Sequence, residues 1–157
     1  MNLQTYTQAA LATAEPRAYD LEYLLPGIIG EVGELIGEFG KAHWHGTPRT
    51  AEITAEYGDV AWLTAVLLHR DRVTDLSHVT NLRYTESADA ALELLLARAV
   101  SVYRSGDSTR AARAAGLWVA LADHAEVVTG QPWAAVLQGN LDKLAARATA
   151  GQLRTHD

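Results

Sequence analysis

The strongest constraint on this chain is a pair of acidic segments set in helical, largely apolar sequence. Glu31-Val32-Gly33-Glu34 and Glu56-Tyr57-Gly58-Asp59 each place two carboxylates three positions apart, with residues 35–55 between them. Residues three apart on a helix share a face. A short connection lets the two helices pack antiparallel and brings the four carboxylates together. At an effective dielectric of about 20, two unit charges roughly 5 Å apart repel by about 3 kcal/mol. Such a cluster calls for a positive charge in its middle. Hard divalent cations prefer all-oxygen sites, and Mg²⁺ commonly keeps waters and binds substrate phosphates.

The faces of the two helices sharpen this expectation. At about 100° per residue, Glu31, Glu34 and Glu38 fall within roughly 60° of one another, and Val32, Leu35, Ile36 and Phe39 form a separate apolar face. Gly30, Gly33, Gly37 and Gly40 take the remaining side. Each costs roughly 1 kcal/mol relative to Ala in a helix, so close approach of another backbone along the stripe is the expected offset. The alternative is a poorly formed helix. In the second helix, Glu52, Glu56 and Asp59 share one face, and residues 60–68 are apolar nearly all round, as in a helix inside a bundle. Charges entering such a helix are costly unless paired or metal-bound. N-terminal dipole and capping preferences account for Glu52 better than for the deeper Glu56 and Asp59. Trp62 borders the acidic face. Core packing is its first reading and contact with a nucleobase its second. For the carboxylates themselves the bland alternative is a solvated polar face.

Composition excludes several classes. With 157 residues, 48% hydrophobic and 20% charged, the chain reads as one globular domain over 1–157 rather than a disordered segment. The absence of cysteine removes disulfide frameworks and thiolate metal sites. A net charge of -6 argues against a nucleic-acid duplex as partner. Residues 1–14 lack the basic start and apolar core of a signal peptide, and the run 60–68 is too short to span a bilayer. The expectation is a cytoplasmic protein with no membrane partner.

Helical periodicity dominates, and the fold class expected is an all-α bundle. Helices are predicted over 3–14, from a cap at Asp20 to about 42 with Pro26 near its start or at a kink, and over 51–70 capped by Thr50. Gly46 and Pro48 punctuate a loop over 43–50. The stretch 71–85 is polar and unassigned. Further helices are predicted over 86–104, over 109–129, and from Pro132 to about 148.

These residues resemble a known family. Glu31-Val-Gly-Glu34 with Glu56-Tyr-Gly-Asp59 is similar to the ExxE…ExxD signature of MazG-like all-α NTP pyrophosphohydrolases. Tyr6-Thr7-Gln8-Ala9-Ala10, the run from Gly27 to Leu35, His43-Trp44-His45-Gly46 and the tail Asn140-Leu-Asp-Lys143-Leu-Ala-Ala-Arg147 agree with it. The resemblance covers 1–70 and 116–150. It leaves a helical segment inserted at about 71–115. Ala148 and Gly151-Gln152-Leu153 depart from the usual ending.

The resemblance implies Mg²⁺-dependent hydrolysis of a (d)NTP to the monophosphate and pyrophosphate, with Mn²⁺ as a possible substitute. Glu31, Glu34, Glu56 and Asp59 would hold the metal. Glu52 or Glu56 would orient or deprotonate the attacking water, and spacing does not choose between them. Lys143 and Arg147, four apart on one face, would balance phosphate charge or form an ordinary solvated face. Asn140 joins that face and could contact sugar or phosphate. Lys41 could reach substrate or serve the C-terminal helix dipole. His43, Trp44 and His45 would form either a base-stacking wall or a packing plug. Related bundles assemble as dimers or tetramers; a homo-oligomer, with a dimer favoured, is therefore expected, and the glycine stripe is a candidate for close packing within or between chains. A di-iron bundle is a rival that wants E-x-x-H pairs, which no histidine here completes. A catalytically idle helical module and a phosphoribosyl-ATP pyrophosphohydrolase are the others. Pyrophosphate release separates enzyme from module, and a substrate panel separates the two enzymes.

Overall fold

The computed structural model describes residues 1–77, 79 and 88–150. Regular structure among the described residues is entirely helical. The elements are α1 (Leu3–Leu11), a 3₁₀ turn (Pro16–Tyr19), α2 (Leu21–His45), α3 (Thr50–Arg70), α4 (Ala88–Tyr103), α5 (Asp107–Thr129) and α6 (Trp133–Thr149). The expected all-α bundle is what forms. The tail Gly151-Gln152-Leu153, and residues 78 and 80–85 of the unassigned stretch 71–85, lie outside the described residues.

α3 is the central rod. It packs against α1, α2, α5, α6 and the 3₁₀ turn. Its run from Leu63 to Leu68 is buried throughout, as all-round apolarity demands. Thr64 interrupts the apolar run at no cost, because its hydroxyl donates to the Val60 carbonyl at 2.8 Å. α2 lies antiparallel to α3. Near the start of α2, a Cβ on Gly27 would sit 3.1 Å from Leu63, while near its end Glu38 pairs with Arg49. Gly46 ends α2 with a φ of 64°, the left-handed geometry glycine adopts without penalty, and Gly130 does the same after α5 with 67°.

Several local expectations shift. α2 runs on through His45, so His43, Trp44 and His45 are the last turn of the helix rather than a loop. Arg49, not Thr50, is the N-cap of α3: the Ile53 N–H donates to the Arg49 carbonyl at 2.9 Å and starts the ladder one residue early. Asp20 does stand at the N-cap of α2, but its side chain makes no capping bond. Among the described residues nothing approaches within 4 Å of a Cβ placed on Gly30, Gly33, Gly37 or Gly40, so none of them makes a close backbone contact along the stripe.

The described part of the segment 71–115 contributes to the core. Leu95, Ala99 and Val102 of α4 join the main hydrophobic cluster, and α4 packs on α2 and α5. At the start of α5 the buried Arg110 grips Asp71 with two bonds, Nε to Oδ2 at 2.8 Å and Nη2 to Oδ1 at 3.0 Å. Its Nη1 meets Asp107 at 2.6 Å. This fork fixes the end of α3 to the head of α5.

Candidate functional site

The antiparallel register sets Glu31 of α2 opposite Glu56 and Asp59 of α3. One carboxylate oxygen from each lies within 4.8 Å of the others, less than the roughly 5.4 Å of one helical turn. Glu34 is exposed on the same side. Its charge reaches Glu31 and Glu56, but its oxygens fall outside that close set. Three of the four expected ligands thus converge, with the fourth flanking them.

Electrostatics register the crowding. The Glu31 carboxyl is pushed up to about 7, first by burial and then by the charges of Asp59, Glu34 and Glu56, with Lys143 opposing. Glu56 is also raised, again by burial first and then by Asp59 and Glu34. Its Oε2 is buried and meets no hydrogen-bond donor among the described residues. A buried orphan carboxylate oxygen between two further carboxylates fits a hard divalent cation such as Mg²⁺ or Mn²⁺, whose charge would satisfy the oxygen and remove the repulsion.

Asp59 is the best-held member. Asn140 Nδ2 donates to its Oδ1 at 3.0 Å, and Lys143 Nζ donates to its Oδ2. The Asn140 carbonyl in turn accepts from the Tyr6 hydroxyl at 2.7 Å. On the α5 side of α3, Tyr57 OH and His124 Nδ1 lie 2.7 Å apart, and His124 stacks on Phe39 of α2 at 6.3 Å between ring centroids. Both flanks of the acidic segment are thereby fixed to neighbouring helices.

A cavity of about 550 Å³ opens from the cluster. Glu31 and Asp59 line it, with Trp62, Leu63 and Leu144 giving apolar wall and Arg147 a positive charge. Thr13, Glu15, Arg17, Asp20, Glu22 and Tyr23, from the 3₁₀ region and the start of α2, also line it. The size is that of a small-molecule site. Trp62 is partly buried: it packs against the core, as first expected, and also lines this space.

Other expected site residues go elsewhere. Glu38, on the acidic face of α2, is buried and held by Lys41 and Arg49, which together keep its carboxyl below the usual range, Lys41 first. Lys41 is thus spent on Glu38. Glu52 is about half exposed and pairs with Arg49 at 3.3 Å, one turn outside the cluster. His43 is exposed and Trp44 is 84% exposed. Neither lines the cavity, and Trp44 is no packing plug. Helical phase explains the displacement: once α2 continues past residue 42, these side chains follow its outer faces. The residues that sequence reasoning missed are Tyr6 and the wall over 13–23. The first helix was expected to end at residue 14, but nothing local said which surface the chain after it would cover.

The crowding predicts a pH dependence. Glu31 has a folded value of about 7 against an ordinary value of 4.5. A carboxyl raised on folding stabilises the protein fully below the lower value, and that contribution is lost as pH rises through the higher one. Without divalent cation, Tm should therefore fall between pH 4.5 and 7 through this group. Glu31→Gln should flatten that slope, and a slope unchanged in the variant would remove Glu31 as its cause.

Comparisons with protein-family models, with curated proteins and with solved structures return no match.

Proposed function

We propose that this chain is a Mg²⁺-dependent nucleoside triphosphate pyrophosphohydrolase of the MazG-like type, converting a (d)NTP and water to the monophosphate and pyrophosphate. The observation that carries the reading is the three-carboxylate cluster, two of whose members, Glu31 and Asp59, line a cavity of small-molecule size. Glu31, Glu56 and Asp59 would hold the cation, with Glu34 adding charge from the flank. The bound cation supplies positive charge to phosphate oxygens and acidifies water.

The chain's own groups account for the rest. Water oxygen bonds to the α-phosphorus, the bridging bond to the β-phosphate breaks, and the electron pair leaves with pyrophosphate. Glu56 would hold the cation through one carboxylate oxygen and take the proton of the attacking water on the other. Glu52 would not, because Arg49 and solvent hold it one turn away. Arg147 faces the cavity and would meet phosphate oxygens. Trp62 and Leu63 offer the flat apolar surface a base would use.

Lys143 finds its partner on another helix. No acidic partner is available to it along its own helix, but Asp59 of α3 supplies one. In the nucleotide complex the ammonium would be shared between Asp59 and the triphosphate. Lys143→Ala should raise KM several-fold while shifting Tm little, because a partly exposed pair is worth at most about 1 kcal/mol. An unchanged kinetic profile with a clear fall in Tm would make Lys143 structural.

A homodimer belongs to the same reading. Leu96, Val100 and Tyr103 remain exposed along α4, apolar surface that a second copy would cover. The experiment for the function as a whole is a panel of canonical and modified (d)NTPs with Mg²⁺, with pyrophosphate and monophosphate quantified. Equimolar release that EDTA abolishes is expected. No release from any nucleotide would leave the idle module as the better account.

A further inference from the structure

We propose that Tyr6 and Asn140 are positioning residues for Asp59: the Tyr6 hydroxyl orients the Asn140 amide, and the amide holds Asp59 for a divalent cation shared with Glu31 and Glu56. The proposal rests on the cation reading of the cluster.

Tyr6 is wholly buried in α1, and its ring packs against Trp118 at 5.7 Å between centroids. Phenylalanine would satisfy that packing. The hydroxyl has one bond to justify it, donated to Asn140 Oδ1 at 2.7 Å. That bond decides which way the amide points. With its oxygen turned to Tyr6, the amide presents its NH₂ to Asp59 Oδ1 at 3.0 Å. A flipped amide would set a carbonyl oxygen against the carboxylate and lose both bonds as they stand. Burial, together with the Asp59 charge, keeps the phenol protonated and therefore a donor.

Gly58 completes the device. A Cβ there would lie 2.8 Å from Asn140 Cβ and 3.0 Å from its Nδ2. The glycine of the second acidic segment thus leaves the space in which Asn140, itself 4% exposed, reaches Asp59. Helices α1 and α6, from opposite ends of the sequence, meet on one ligand of the cluster. Outer partners of this kind typically change metal affinity by about 10- to 100-fold when removed.

The test is Mn²⁺ binding by the full chain, followed by electron paramagnetic resonance of free Mn²⁺, beside Tm of the metal-free protein. Tyr6→Phe should weaken Mn²⁺ binding by about tenfold or more and lower Tm by a few degrees. Gly58→Ala keeps every polar group but displaces Asn140, and it should weaken binding as well. If both act through Asn140, the double variant should bind no worse than the weaker single variant. Tyr6→Phe binding Mn²⁺ like the parent, with only Tm lowered, would overturn the proposal while leaving the cation site standing. Independent, additive losses would also overturn it. A parent protein that itself fails to bind Mn²⁺ would overturn the cation reading and this proposal together.

Discussion

Glu56→Gln is expected to lower kcat for nucleotide hydrolysis by about 10²- to 10⁴-fold, the usual contribution of a general base. The amide keeps the shape of the side chain but cannot take a proton, and it gives the cation a neutral ligand in place of a charged one. Mn²⁺ affinity should fall in parallel. Stability without metal should move the other way. Glu56 is raised by burial and by Asp59 and Glu34, so its charge opposes folding at neutral pH, and removing that charge should hold or raise Tm. Turnover at the parent rate would take Glu56 out of the mechanism. A large drop in Tm would show that the carboxylate is structural.

Arg110→Ala is expected to give the largest loss of stability away from the cluster. Breaking a buried ion pair by removing one partner typically costs 3–5 kcal/mol, because the other charge is stranded. Asp71 would keep Arg70, whose Nη1 lies 3.1 Å away, so the low end, roughly 3 kcal/mol, is the expectation. For a chain of this length that is about 6–12 °C in Tm. The exposed bond to Asp107 adds little. Urea unfolding of the metal-free protein checks this, with catalysis at a permissive temperature little changed. A cost under about 1 kcal/mol would mean that solvent or a neighbour replaces the fork.

How far the sequence reading reached follows from what is local. Helical periodicity and the apolar run 60–68 fixed the class and the central place of α3. The acidic pairs gave Glu31, Glu56 and Asp59 because spacing on a helix and a short antiparallel turn are nearly sufficient to bring them together. Asn140 and Lys143 were legible as one face of the last helix, but their meeting with Asp59 was not. That contact depends on how α6 crosses α3, which no local pattern encodes. Tyr6 was hidden for the same reason. Lys41 and Glu52 were misplaced because Arg49 stands between them, pairing with Glu38 and Glu52, and a loop arginine carries no periodic signal. The glycine stripe suggested a backbone contact that nothing among the described residues provides. A glycine pattern can mark space without saying what fills it; Gly27, faced by Leu63, and Gly58, crossed by Asn140, have occupants that no local pattern announced.

The central claim is that the carboxylate cluster supports attack of water on the α-phosphorus of a nucleoside triphosphate. Hydrolysis in heavy-oxygen water, with Mg²⁺ and whichever nucleotide turns over best, tests it most directly. Mass spectrometry of the products should find the label in the nucleoside monophosphate and none in pyrophosphate. Label in pyrophosphate, release of single phosphate with the diphosphate left behind, or no turnover of any nucleotide would contradict the account.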